Sequence, residues 1–344
     1  MKSIKTVGKM LLVVGVMMLL ILDTKTALQG TTQGVELCIR TAIPALFPFF
    51  VCSGYLTGNI GKIGIPFLRP LGRLCRIPQG SEGILLVGLL GGYPVGAQAV
   101  SNAYDSGALT KKDAHRMLGF CNNAGPSFLF GMLPAFFSGI HIVWVIWLIH
   151  MLSAIAVGML LPGGTQNKIP CPKGQGMTIS KSMENAIRSM GFICGWVVLF
   201  RMILTVLDRW VFWIFPNSVA VLISGLLELT NGCLNLETIQ HEPTRFALAI
   251  LFLSAGGWCV EMQTASVTKD LGMGAYFPGK VLQTGIGLFL CGFVTPVLFP
   301  GEDLLTLQLF ALLLVLVMLV SLYFGKITVA FSKRNMYNKE NMTK

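Results

Sequence analysis

The sequence predicts an all-α, polytopic membrane protein made of two internal repeats, inverted relative to each other, each with a helix broken or re-entrant at a Gly-Gly pair. Three observations carry that expectation. Of the 344 residues, 53% are hydrophobic and only 12% charged, against about 25% charged in an average soluble domain. Apolar runs at 140–161 and 304–324 approach the roughly 20 residues that a spanning helix needs, and 183–207 and 210–229 come near that length with polar interruptions. Finally, a polar pattern inside the apolar chain recurs further along it without a gap, the mark of a repeated architecture.

The elements follow from the N-terminus. Residues 10–22, behind Lys2, Lys5 and Lys9, resemble a signal peptide but lack an A-x-A site after them, so they read as a retained anchor helix in an N-terminal unit, 1–34. The first repeat occupies 35–161 and the second 183–325, joined by the polar, Pro- and Gly-containing linker 162–182; a basic tail, 326–344, follows. Hydropathy gives roughly seven to nine spans. The net charge of +11 sits in loops, at Lys62, Arg69, Arg73 and Arg76, at Lys111, Lys112 and Arg116, in the linker and in the tail. Lys and Arg accumulate in cytoplasmic loops for topological reasons, and without interleaved aromatic residues these clusters do not read as a nucleic-acid surface. With the N-terminus inside, the second half starts from the opposite side to the first, as an inverted repeat requires. The same scheme leaves the basic tail outside, against the positive-inside rule; an added crossing by 210–229 would bring the tail inside but make the repeats parallel.

The nine cysteines form no C-x-x-C pair and mostly lie in apolar runs, where they read as small hydrophobes. His115, His141, His150 and His241 share no metal-ligand spacing, so neither a metal nor another cofactor is expected. No G-x-S-x-G, H-E-x-x-H or Cys/His arrangement appears. Residues 274–281, GAYFPGKV, imitate a phosphate loop, yet Val281 stands where Ser or Thr would hold magnesium and no strand precedes it. The chain is therefore not expected to be an enzyme.

The repeat emerges when GGYPVGAQAVSNAYDSG, 91–107, is laid over GGWCVEMQTASVTKDLG, 256–272, at an offset of 165 without a gap. Gly91, Gly92, Val95, Gln98, Ser101, Asp105 and Gly107 match Gly256, Gly257, Val260, Gln263, Ser266, Asp270 and Gly272. Upstream, ELCIR at 36–40 matches ENAIR at 184–188. Paired glycines break a helix at low steric cost, and Pro94 suits the first turn of the next one. Interrupted backbone at membrane depth is tolerated only where protein or a water-filled cavity satisfies it, and breaks at corresponding positions of two halves point to a transporter's binding site. Gln98 with Ser101, and Gln263 with Ser266, share a helix face and either bind a solute or close the hairpin on itself. A third break, GFCNNAGPSFLFG at 119–131, brings Asn122, Asn123, Pro126 and Ser127. Pro126 opens a half-helix whose N–H groups suit an anion, with capping by Asn123 as the structural alternative. Ionisable groups inside a bilayer are costly and usually functional. Arg201, in VVLFRMILTV, needs a partner; Glu228 and Glu261 could neutralise an arginine or carry a coupling proton, and Lys280 is a further cation.

GGYPVGAQ, CNNAGPSFLFG, GLLELTNG and GGWCVEMQ, in that order, resemble the sporulation integral membrane proteins of the nucleoside-recognition, or Gate, domain family, over about residues 35–325. The resemblance implies Gate-type repeats in a multi-pass protein of endospore-forming Firmicutes. It also implies a place in the outer forespore membrane and a part in moving dipicolinic acid. The ligand residues of nucleoside carriers have no clear counterpart motif, and the iron-permease GTPase domain is absent. The expected function is thus transport of a small organic anion, with the bilayer and that anion as partners; the oligomeric state is not readable from the chain. The substrate-binding candidates are Gly91, Gly92, Pro94, Gln98, Ser101, Asn122, Asn123, Pro126, Ser127, Arg201, Gly256, Gly257, Glu261, Gln263 and Ser266. The alternatives are a sporulation scaffold that transports nothing and a carrier of a nucleoside-like solute.

Overall fold

The structure, a computed structural model, describes residues 20–59, 65–165 and 177–305, with scattered positions at 10–18 and 308–316. Positions 11, 12, 16 and 19 of the expected anchor helix, the middle of the linker, most of the 304–324 run and the basic tail lie outside the described residues. The chain forms an all-α polytopic membrane protein. No β-strand occurs among the described residues.

Helix α1 (Thr24–Leu37) passes through a π-turn (Cys38–Ala42) into α2 (Ile43–Gly58). Asp23 caps α1 by accepting the Thr26 N–H (3.2 Å), and also pairs with Arg209 (3.1 Å) and Trp210 (2.9 Å) at the far end of α9, Ile179–Trp210. Gly30 and Gly34 let α1 lie directly on α9: a Cβ on either would come within 2.8 Å and 2.7 Å of the Met202 and Val198 Cα atoms. This is the small-residue packing that membrane helices use to bring backbones together.

After α3 (Arg69–Leu74), the first half continues with α4 (Glu82–Leu90), α5 (Val95–Asp105), α6 (Lys111–Leu118), α7 (Pro126–Met132) and α8 (Ile140–Leu160). Beyond α9 come α10 (Asn217–Leu227), α11 (Leu229–Leu234), α12 (Glu242–Ala255), α13 (Gly257–Thr268) and α14 (Tyr276–Leu298). By length and composition, α8, α9, the stretch Glu242–Leu271 and α14 can each cross a membrane. Among the described residues, fewer helices reach full length than hydropathy suggests, because breaks divide other apolar runs into half-length pieces. The membrane helices turn large apolar side chains outward, such as Trp144 and Leu148 on α8 and Phe293 and Val297 on α14, as a lipid-facing surface requires. Arg116, a loop cation by sequence, is buried and donates to the carbonyls of Cys75 (2.8 Å) and Leu161 (3.2 Å) past the end of α8.

Two hairpins and two interrupted helices occupy the centre. α4 and α5 fold back on each other at 91–94, so that a Cβ on Gly96 would lie 2.8 Å from the Gly88 Cα. α10 and α11 do the same around Glu228, bringing Gly225 against Gly232. By contrast, the unwound stretch 119–125 separates α6 from α7, and α12 runs into α13 through Gly256 (φ 77°) and Gly257 (φ 79°). Each hairpin packs on the interrupted helix nearest it in the chain. Gly88 and Gly96 straddle Cys121, and Gly92 meets Gly125; Gly225 and Gly232 lie against Phe252, while Gly257 sits under the carbonyls of Gly225 and Leu226.

The two Gly-Gly segments are thus both breaks, but of different kinds. Residues 91–92 form a hairpin tip, whereas 256–257 form a kink within a 30-residue apolar stretch; the second hairpin lies instead at GLLELTNG. The residues after the glycines explain this. Pro94 has no N–H to bond back to Leu90, so α4 cannot run on. Cys259, at the equivalent position, keeps its N–H, and the helix resumes at Gly257.

Candidate functional site

A cavity of about 420 Å³ opens where these breaks meet. The α1–α2 bend contributes Leu37, Thr41 and Leu46; the first hairpin tip, Gly92 and Tyr93; the unwound stretch and α7, Ala124, Gly125, Ser127 and Phe128. Ile193 and Val197 of α9, Glu228, Leu229 and Thr230 at the second hairpin tip, and Val260 and Gln263 of α13 complete much of the wall. The wall is mostly apolar with a few polar groups at the breaks, the usual character of a small-molecule site.

Behind the wall, side chains satisfy the backbone that unwinding leaves unpaired. Lys280 on α14, 4% exposed, donates to the Tyr93 hydroxyl (2.9 Å), the Asn122 carbonyl (2.6 Å) and Gln283 Oε1 (2.6 Å). Its three protons are therefore met by neutral acceptors, and no carboxylate among the described residues pairs with it within 4 Å. Tyr93 in turn donates to the Leu253 carbonyl (2.8 Å) in the last turn of α12, tying the first hairpin tip to the second interrupted helix. Asn123 donates to the Gly88 (2.9 Å) and Phe120 (2.7 Å) carbonyls and accepts from Gln283 (2.8 Å). Asn122 accepts from the Ala97 N–H (3.3 Å) and donates to Thr264 (3.0 Å), and His150 accepts from the Ala124 N–H (3.1 Å). Irregular backbone at membrane depth is tolerated where protein groups such as these supply partners.

At the other tip, Glu228 is 3% exposed and adopts an extended backbone (φ −145°, ψ 115°). Its carboxylate oxygens accept the N–H groups of Thr230 (2.9 Å) and Asn231 (2.6 Å), capping α11. Among the described residues, it is the only ionisable carboxylate or cation in the cavity lining.

Of the residues singled out from sequence, Gly92, Ser127 and Gln263 line the cavity. Gly91 ends α4 through its N–H to the Val87 carbonyl (2.7 Å), Pro94 is the residue before α5, and Pro126 is the first of α7. Gln98 and Ser101 lie on α5 outside the lining; Gln98 Oε1 is buried with no hydrogen-bond partner among the described residues. Asn122 and Asn123 hold the unwound backbone, Gly256 and Gly257 form the kink, and Ser266 accepts from the Trp196 indole (2.9 Å), fastening α9 to α13. Glu261 is half-buried, forms no ion pair with the described residues and does not line the cavity. Arg201 lies on α9 outside the lining and donates to Gln33 on α1 (3.2 Å).

Sequence reasoning left Tyr93, Gly125, Glu228, Thr230 and the residues of the α1–α2 bend out of the binding set. Glu228 and Thr230 had a signal, an acid and a hydroxyl inside the apolar GLLELTNG. Leu37, Thr41 and Leu46 had none, since they are ordinary members of an apolar run and reach the cavity only through packing.

Fold and cavity together define a multi-pass α-helical membrane protein with a solute-sized chamber between broken helices. The chain is 21% identical to the sporulation integral membrane protein YlbJ of Bacillus subtilis (strain 168), with 78% of this chain and 77% of that protein covered. That similarity supports a membrane protein of a sporulation family. No family model matches the chain, and no solved structure matches it.

Proposed function

We propose that the protein transports a small organic anion, dipicolinic acid in a sporulating cell, through the cavity between the two hairpin tips. One observation carries this reading: the tips of both hairpins and the unwound stretch 119–125 converge on one cavity. A scaffold gains nothing from unwinding helices around a chamber, because every freed N–H and C=O then needs a dedicated partner. The Gate-family resemblance and the similarity to a sporulation membrane protein support the biological setting, the outer forespore membrane. No enzymatic step is assigned.

The test is flux. Purified full-length protein in liposomes is expected to exchange labelled dipicolinate across the membrane, and protein-dependent flux absent for dipicolinate and for a panel of anions and nucleosides would leave the scaffold reading standing. A second reading has a specific observation in its favour. Glu228 in the wall, with Lys280 set one layer behind Tyr93, suits a solute without net negative charge, such as a nucleoside. Exchange of nucleosides but not dipicolinate would select it.

A further inference from the structure

We propose that Glu228 carries the coupling proton of this transporter, so that the anion and a proton on Glu228 occupy the cavity together and move in the same direction. The inference rests on the transport reading above.

Three features of the site lead to it. Among the described residues, the cavity that would receive an anion holds one charged side chain, and that charge is negative when ionised. Like charges in a low-dielectric chamber repel strongly, so an anion and an ionised Glu228 exclude each other, while an anion and a protonated Glu228 do not. Binding of anion and proton is thereby linked, each favouring the other by the same factor.

Among the described residues, no cation lies within ion-pair distance of Glu228. Arg201 on α9 is near enough to act on it electrostatically but lies beyond 4 Å, with Gln33 as its hydrogen-bond partner. Among the described residues, the other titratable groups close enough to feel Glu228 are thiols: Cys38 on the π-turn, Cys259 on α13 and Cys233 on its own helix α11. A group locked in a salt bridge could not give up and regain a proton in each cycle; this one is free to do so.

The carboxylate is also part of the second hairpin's geometry. Both oxygens accept backbone N–H groups at the start of α11. Protonation converts one of them from acceptor to donor, which weakens the cap and gives the hairpin tip a reason to shift when the proton arrives. In the cycle, a water-borne proton forms an O–H bond with Glu228 on the side to which the cavity is open, and that bond breaks on the opposite side after the anion has left. Nothing is oxidised or reduced.

The experiment uses full-length protein in liposomes with a trapped pH dye and labelled dipicolinate. The wild type is expected to acidify the lumen as dipicolinate enters, and its flux should rise up to about tenfold per unit of external acidification, the limit for one obligatory proton. Glu228→Gln should show no proton movement, and whatever flux remains should be flat with pH; Glu228→Asp should restore the pH slope. Because Gln can satisfy only one of the two capping N–H groups and the variant could fold poorly, a second measurement uses the wild type alone. Calorimetric titration with dipicolinate in two buffers of different ionisation enthalpy should report uptake of about one proton per anion bound. Dipicolinate flux without proton movement, or an unchanged pH slope in Glu228→Gln, overturns the coupling and leaves the transport reading intact. Absence of any solute flux in the wild type defeats the transport reading, and the coupling with it.

Discussion

Buried polar side chains in this protein are assigned to backbone before they are assigned to a solute. Asn122 and Asn123 look like ligands in sequence, yet both are fully buried and spend their groups on the unwound stretch and the helices beside it. Lys280 is the extreme case. Replacing it with Met leaves the Asn122 carbonyl and Gln283 Oε1 without their donor, at about 1–3 kcal/mol for each buried group left unsatisfied. Lys280→Met is therefore expected to lower the melting temperature in detergent, read by tryptophan fluorescence, far more than Tyr93→Phe. The latter removes one neutral hydrogen bond to Leu253 worth about 1 kcal/mol along with the hydroxyl that accepts from Lys280. Arg201→Gln is expected to change stability by under ~1 kcal/mol and dipicolinate affinity little, since its hydrogen bond is to half-buried Gln33 and it lies outside the lining. A large loss of affinity in that variant would show that the cavity rearranges to bring Arg201 in.

Among the elements, the hairpins depend on glycines at which no side chain fits. A Cβ on Gly96 would collide with the Cys121 carbonyl and the Gly88 backbone, so Gly96→Val should prevent α5 from closing on the unwound stretch. Loss of monodisperse protein in detergent is expected. Gly131→Ala is the control, because a Cβ there meets nothing within 4 Å. Gly92 differs again. At φ 82° it strains any side chain, by about 1–3 kcal/mol, and an added side chain would grow toward Leu46 and Gly125 at the cavity wall. Gly92→Leu should therefore insert and fold yet lose most dipicolinate flux, with wild-type flux showing that the position is open.

Taken whole, the molecule does not separate at the linker. One core cluster joins Cys38, Phe50 and Val95 of the first half to Met190, Ile193 and Cys259 of the second. Another places Leu133 and Ile146 with Phe246 and Leu253. Either half alone would expose its share of each cluster, and the broken helices would lose partners on which their backbone depends. Residues 1–165 and 177–344 expressed singly are expected to be degraded, whereas co-expression should yield a co-purifying pair. Stable accumulation of either half alone would show that each repeat folds as a unit.

The sequence by itself determined the membrane setting, the helical class and three of the places where helices break, at 91–94, 119–126 and 256–257, because these follow from local composition: apolar length, paired glycines and Pro94 and Pro126; the reversal at Glu228 carried no such mark. It also marked Lys280 and Glu228 as costly charges inside apolar runs. What it left open was which broken segment reverses, which polar groups serve backbone and which face a solute. The gapless match of 91–107 with 256–272 aligned a hairpin tip with a kink, because similarity along a chain carries no information on the direction in which a helix resumes. The cavity wall was likewise undetermined, since Leu37, Thr41, Ile193 and Val197 reach it only through the packing of α1, α2 and α9 on the breaks. A break is a property of a few consecutive residues, but a site is a property of distant segments brought together, and only the tertiary structure decides which of them meet.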